Sequence, residues 1–161
     1  MAVNAGRVFL GGLIAGVVRL VAGAAVHALV IGPLFLEEVA RNQPGIAVAL
    51  EATPGRIQFV VMNLLMGIAT IYMYAAMRPR FASRLATVLS ASVPAWLLVT
   101  ATWGITAAMG LFSWPNVIVQ ASLTFITVVV SAYLGSSIYK DTEEVGVTSG
   151  AGVHATAGAR T

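Results

Sequence analysis

Four uninterrupted apolar stretches constrain this chain more than any other feature: Val8 to Ile31, Ile57 to Met77, Leu85 to Met109 and Asn116 to Ile138. Each exceeds twenty residues, and a helix needs about 20 to cross a hydrocarbon layer about 30 Å thick. Arg19 is the one Asp, Glu, Lys or Arg inside them. In lipid a backbone must satisfy its own hydrogen bonds, which demands helices. The strict alternation of a membrane β-barrel is absent. The expected fold is therefore all-α, a transmembrane four-helix bundle.

Composition agrees. Charged residues make up 9% of the 161 positions and hydrophobic ones 58%, where an ordinary soluble domain carries about 25% charged residues. Six acidic and nine basic side chains are too few to solvate a globule of this size. A soluble enzyme and a nucleic-acid binder are both excluded on this ground, and no nucleic-acid partner is expected. The lipid bilayer is the expected surrounding. With no cysteine there is no disulfide, thiolate metal site or thiol nucleophile. No GxSxG, HExxH, P-loop or paired intramembrane carboxylate occurs, so no catalytic residue, metal site or cofactor is assigned.

Local chemistry marks the boundaries. Gly32-Pro33 is expected to end or kink the first helix, since proline lacks the amide a helix uses. Thr53-Pro54 reads as an N-cap followed by proline in the first turn. Ser83 is a cap for the third helix, and Ser113-Trp114-Pro115 a short turn into the fourth. Pro94 is expected to kink the third. Between the first two spans, Pro33 to Arg41 has the length of a short interfacial helix. Residues 1–140 thus form the membrane domain. Residues 141–161, rich in Gly, Ala and Thr, read as a disordered cytoplasmic tail. The first stretch is too long for a signal-peptide core and contains Arg19, so it is expected to remain as a span.

Basic residues set the expected orientation. Arg7, Arg78, Arg80, Arg84 and Lys140 fall on one side of a four-span topology. Arg41 and Arg56, accompanied by Glu37, Glu38 and Glu51, fall on the other. Both termini should then be cytoplasmic, in a bacterial inner membrane.

Advancing 100° per residue gives each helix one small or polar stripe. These are Gly12, Gly16, Arg19 and Gly23, with His27 at the edge; Asn63, Gly67, Thr70 and Tyr74; Ser92, Trp96, Trp103 and Thr106; and Gln120, Thr124, Thr127, Ser131 and Gly135. The stripes should meet inside the bundle. Close packing and hydrogen-bonding glue account for them; a polar pathway or solute pocket is the other reading. Arg19, about 16 Å from the basic side, is either a caged structural arginine, an anchor for another subunit, or an anion or headgroup site. Its expected cage is Thr70, Thr127, carbonyls freed by Pro94, and Trp96 by cation–π contact. His27 is placed at the level of Asn63 and Gln120, within reach of a returning Glu37 or Glu38. Candidate ligand-binding residues are thus Arg19, His27, Asn63, Thr70, Gln120 and Thr127.

Met73-Tyr-Ala-Ala-Met-Arg-Pro-Arg-Phe81 and Leu134-Gly-Ser-Ser-Ile-Tyr-Lys140 resemble segments of small four-span bacterial membrane proteins that carry no assigned activity. The likeness covers most of the chain and implies a fold only, and Arg19 departs from it. Gly11-Gly12-Leu-Ile-Ala15-Gly16-Val-Val-Arg19 is similar to the Gly-Gly-x-x-Gly-Ala-x-x-Arg opening of the Fluc fluoride channels, with Asn63 in the span where that family places an asparagine. The Gly-Ala pair is reversed here, and the phenylalanine-rich box of the third span is missing. These readings lead to two expectations, with an enzyme acting on lipid or quinone ranked behind them. The first is a non-enzymatic membrane component that associates with itself or other membrane proteins through glycine-rich faces. The second is a small oligomeric channel or transporter with a polar path past Arg19.

Overall fold

The computed structural model describes residues 4–139; the 141–161 tail lies outside them. The described chain is helical throughout apart from short turns. Helix α1 (Ala5–Val26) passes through a π-helical turn (His27–Ile31) into α2 (Gly32–Asn42), followed by α3 (Pro44–Glu51). Then come α4 (Thr53–Met77), a 3-10 turn (Arg78–Arg80), α5 (Arg84–Ala108) and α6 (Trp114–Ser136). Four helices are long and apolar enough to cross a membrane: α1 with its π turn, α4 with its 3-10 turn, α5, and α6. Each matches an expected stretch to within about one turn.

The caps follow the sequence with one shift. Asn4 Oδ1 accepts from the Arg7 amide, and Ser83 Oγ from the Ala86 amide. At α4 the N-cap is Ala52, with Thr53 already helical; Pro54 in the first turn has no amide to leave unpaired. Gly32-Pro33 does not stop the chain. The Gly32 amide bonds back to the His27 carbonyl, closing a π turn, and Pro33 falls in the first turn of α2 where its amide is not needed. A Cβ on Gly32 would lie 2.5 Å from the His27 oxygen, so the π turn requires glycine there. The short helix expected over Pro33 to Arg41 is α2. The additional α3 opens at Pro44, after Gln43 leaves helical geometry. Helix α5 continues through Pro94.

The four long helices run up and down as antiparallel neighbours. Helix α1 lies between α4 and α6, and α5 closes the ring against α6 and α4. The small and polar stripes face inward as expected. Gly12, Gly16, Arg19, Asn63, Gly67, Thr70, Tyr74, Ser92, Gln120, Ser131 and Gly135 are all buried. Leu10, Val17, Val21, Leu65, Leu98, Ile118 and Ile126 are exposed, as lipid-facing side chains should be.

Packing is uneven along the axis. At the end bearing Arg78–Arg84, the basic end, backbones touch. Gly67 fits against Gly12 and Gly16, and a Cβ on Gly12 would meet the Ile68 Cα at 2.5 Å. Gly135 fits against Gly11 and Ala15. Val8, Ala15, Ile71 and Ala75 form one cluster there, and Tyr74, Val88, Ala91 and Ala132 another. Tyr74 is accordingly a core residue (2% exposed), with Tyr139 edge-on to it. Arg84 ties α5 to α6 at this end. It donates to Ser136 Oγ and the Tyr133 carbonyl and lies over the Tyr133 ring.

Toward the opposite end the helices part. Gly23 and Gly104 have nothing within 4 Å of where a Cβ would sit. Residues 56–62 of α4 are exposed on every face. Helix α2 restores a core at the very end, where Ile31, Phe35 and Val39 pack with Trp103, Phe112 and Leu123.

Candidate functional site

Arg19 stands where the glycine-packed half ends. One turn before it, Gly16 presses on Leu64 Cα; one turn after it, Gly23 is open. The residue is 9% exposed. Its Nε donates to Asn63 Oδ1 at 3.1 Å, and Asn63 Nδ2 in turn donates to the Phe59 carbonyl at 2.8 Å. The amide group is thereby fixed with its oxygen toward the guanidinium. The two terminal amino groups of Arg19 have no hydrogen bond to another described residue. No ion pair involves Arg19 among the described residues either, in keeping with apolar stretches that contain no acidic side chain.

The expected cage is therefore corrected in its members. Asn63, placed by the sequence reading near His27, lies at the level of Arg19. Thr70 does not reach it. Gly67 is already opposite Gly12 and Gly16, so Thr70 sits one turn nearer the basic end, 2% exposed, its hydroxyl bonded to the Met66 carbonyl at 2.7 Å. Trp96 makes no cation–π contact with Arg19. Its indole donates to the Ala121 carbonyl at 2.8 Å, and its ring meets Phe125 edge-on. Counting two turns out from the Gly11–Gly135 contact brings Thr127 to the level of Arg19, but its hydroxyl donates to Thr124 of its own helix. Nor does Arg19 bond to a carbonyl around Pro94 among the described residues. Ser92, buried on α5, has a hydroxyl without a partner there, as has Thr100. Sequence reasoning singled out neither as an unsatisfied group, because polarity shows in a sequence and satisfaction does not.

Gln120 is buried further toward the opposite end. His27 lies in the π turn with its ring edge-on to Phe35 at 5.1 Å. No returning carboxylate meets it among the described residues. Glu38 is engaged elsewhere: its two oxygens accept from the Ser113 amide (2.6 Å) and from Asn116 Nδ2 (2.7 Å). This carboxylate sits at the N-terminus of α6, where the helix dipole favours negative charge. Asn42 Nδ2 adds a bond to the Leu111 carbonyl. Phe35 stacks on Phe112 at 4.9 Å with Trp103 edge-on to both. Together these contacts clamp α2 over the α5–α6 turn.

The Asn116 hydrogen bond, with those of Ser113 and the nearby Arg41, holds the Glu38 carboxyl below its ordinary value of 4.5. A lowered carboxylate pKa stabilises the folded form above the ordinary value, and that contribution is lost as pH falls through the lowered one. We expect the Ser113 amide to lose hydrogen-exchange protection on acidification below the usual carboxylate range. Glu38→Gln should show weak protection with no such pH step. An identical profile in the variant would exclude Glu38 as the clamp.

Comparison with known proteins adds no relative: no family model, curated protein or solved structure matches the chain. The site must be read from its own geometry.

Proposed function

We propose that the chain is a non-enzymatic, multi-pass component of the bacterial inner membrane, with both termini cytoplasmic, that associates with another membrane-spanning chain around Arg19. The single observation that carries this reading is a buried arginine whose guanidinium makes one hydrogen bond, to Asn63, and whose terminal amino groups have no partner among the described residues. A charge at that depth costs at least about 2.5–3.5 kcal/mol on insertion scales, and such residues mark pairing or function by default. A second copy has no acid in its spans to offer, which favours a partner of different sequence bearing an intramembrane carboxylate. The glycine faces first assigned to association are taken up inside the chain at Gly11, Gly12, Gly16, Gly67 and Gly135. The association surface in this reading is instead residues 56–62 of α4, exposed all round. The concentration of Arg78, Arg80 and Arg84 at one end supports the orientation.

The open space beside Gly23 favours a second reading, in which a small anion enters to Arg19. The backbone contacts of the basic half stand against a continuous path through the chain. Two measurements separate the readings. With a photo-crosslinking residue at Val61, cells should yield an adduct with another membrane protein that disappears in Arg19→Gln while the protein level holds. An unchanged adduct in Arg19→Gln sinks the association reading. Anion efflux from liposomes containing the purified chain alone, abolished by Arg19→Gln, would replace it with the second.

A further inference from the structure

A separate surface carries a further assignment, independent of Arg19. Between α2 and the start of α6 lies a cavity of about 320 Å³. Val30, Ile31, Pro115 and Val119 form its apolar wall. Its polar rim includes Glu37 and Arg41. It lies where the first long apolar helix ends and the fourth begins, so in the proposed membrane placement one side would meet the edge of the apolar layer and the other water.

The charges around it are not equivalent. Glu38 already accepts hydrogen bonds on both oxygens, and it supplies the negative charge that the α6 N-terminus favours. Another anion at that terminus would be repelled. Glu37 and Arg41 make no hydrogen bond and no ion pair within 4 Å with any described residue; Arg41 is near enough to Glu38 to act on its charge, but its hydrogen-bond donors are unused. They are four residues apart on α2, hence neighbours on one face about 5–6 Å apart at Cβ. A ligand matching this rim carries a negative group for Arg41 and, one short linker away, a positive group for Glu37. A ligand matching the wall carries hydrocarbon. A planar guanidinium suits a phosphate, and a primary ammonium brings three donors to a carboxylate where a quaternary one brings none.

We propose that this cavity is a headgroup site for a zwitterionic phospholipid with a primary amine, phosphate on Arg41 and ammonium on Glu37. Purely anionic lipids meet Glu37 and Glu38 there, and choline lipids have no donor for Glu37.

The test uses the full chain in nanodiscs holding equal parts of phosphatidylethanolamine, phosphatidylcholine and phosphatidylglycerol. Lipids retained on gentle release are read by native mass spectrometry. The ethanolamine lipid should dominate, and Glu37→Gln and Arg41→Gln should each reduce its retention about five-fold. Both side chains are exposed, so these changes leave the core intact. Val119→Trp, filling the cavity without altering charge, should reduce retention of the ethanolamine lipid and leave the other two unchanged. Equal retention of the three by the unaltered chain would overturn the proposal. So would preferential retention of phosphatidylglycerol, or an ethanolamine preference unchanged in Glu37→Gln. Capture of soluble phosphoethanolamine as tightly as the lipid would overturn the role of the apolar wall.

Discussion

Asn63→Leu should destabilise the bundle by about 3 kcal/mol, because it removes the one hydrogen-bond acceptor that Arg19 has among the described residues and leaves the charge buried. Arg19→Leu should behave in the opposite sense. It removes the charge itself, and replacing a buried ionic group by a packed apolar one is often neutral or stabilising. The asymmetry is the informative part. If Arg19 were only structural glue, both substitutions would cost similar amounts. If Arg19 is retained for a partner or ligand despite its cost, the leucine variant gains stability and loses that interaction. Reversible unfolding in mixed micelles, followed by the fluorescence of the three tryptophans, gives both numbers. Equal destabilisation by the two variants would remove the argument that Arg19 is kept for more than packing.

Gly67→Ala should be comparably damaging, about 3 kcal/mol, at the upper end of what overpacking costs. A Cβ there would stand 2.6 Å from Gly16 Cα and collide with the Gly16 nitrogen and the Gly12 oxygen. These are backbone atoms, which cannot rotate away as a side chain can. Helix α1 must move off α4, and the Arg19–Asn63 bond one turn beyond is stretched with it. Gly23→Ala is the internal control. Nothing lies within 4 Å of its Cβ position, so it should be neutral or stabilise by up to about 1 kcal/mol through helix propensity. Similar effects at Gly67 and Gly23 would mean that the close approach of α1 and α4 is not what holds the basic half together.

The sequence and the structure divide this protein along a physical line. Four long apolar helices, their ends to about a turn, and the inward face of each were legible from residues 4–139 alone. A long apolar run is helical in lipid because its backbone has no other donors or acceptors, and the helical period turns a list of polar residues into a stripe. Caps such as Ser83 are equally local. The axial level of one stripe against another was not legible. The period gives an angle around each helix but no height relative to its neighbours. That height is set by Gly67 seating between Gly12 and Gly16 and by Gly135 seating on Gly11. This is why Asn63, rather than Thr70, meets Arg19.

The Glu38 clamp was hidden for a related reason. Its partners Ser113 and Asn116 are 75 and 78 residues away, and the connection exists only after α2 folds over the α5–α6 turn. Sequence alone determined that this chain is a bundle of four apolar helices with their polar side chains turned inward, because solvation of the backbone and of each face is a local matter. Which polar groups touch, and that Arg19 is left with unfilled hydrogen-bonding capacity, was decided only by tertiary packing. Steric fit between backbones sets the register, and no residue carries that information by itself.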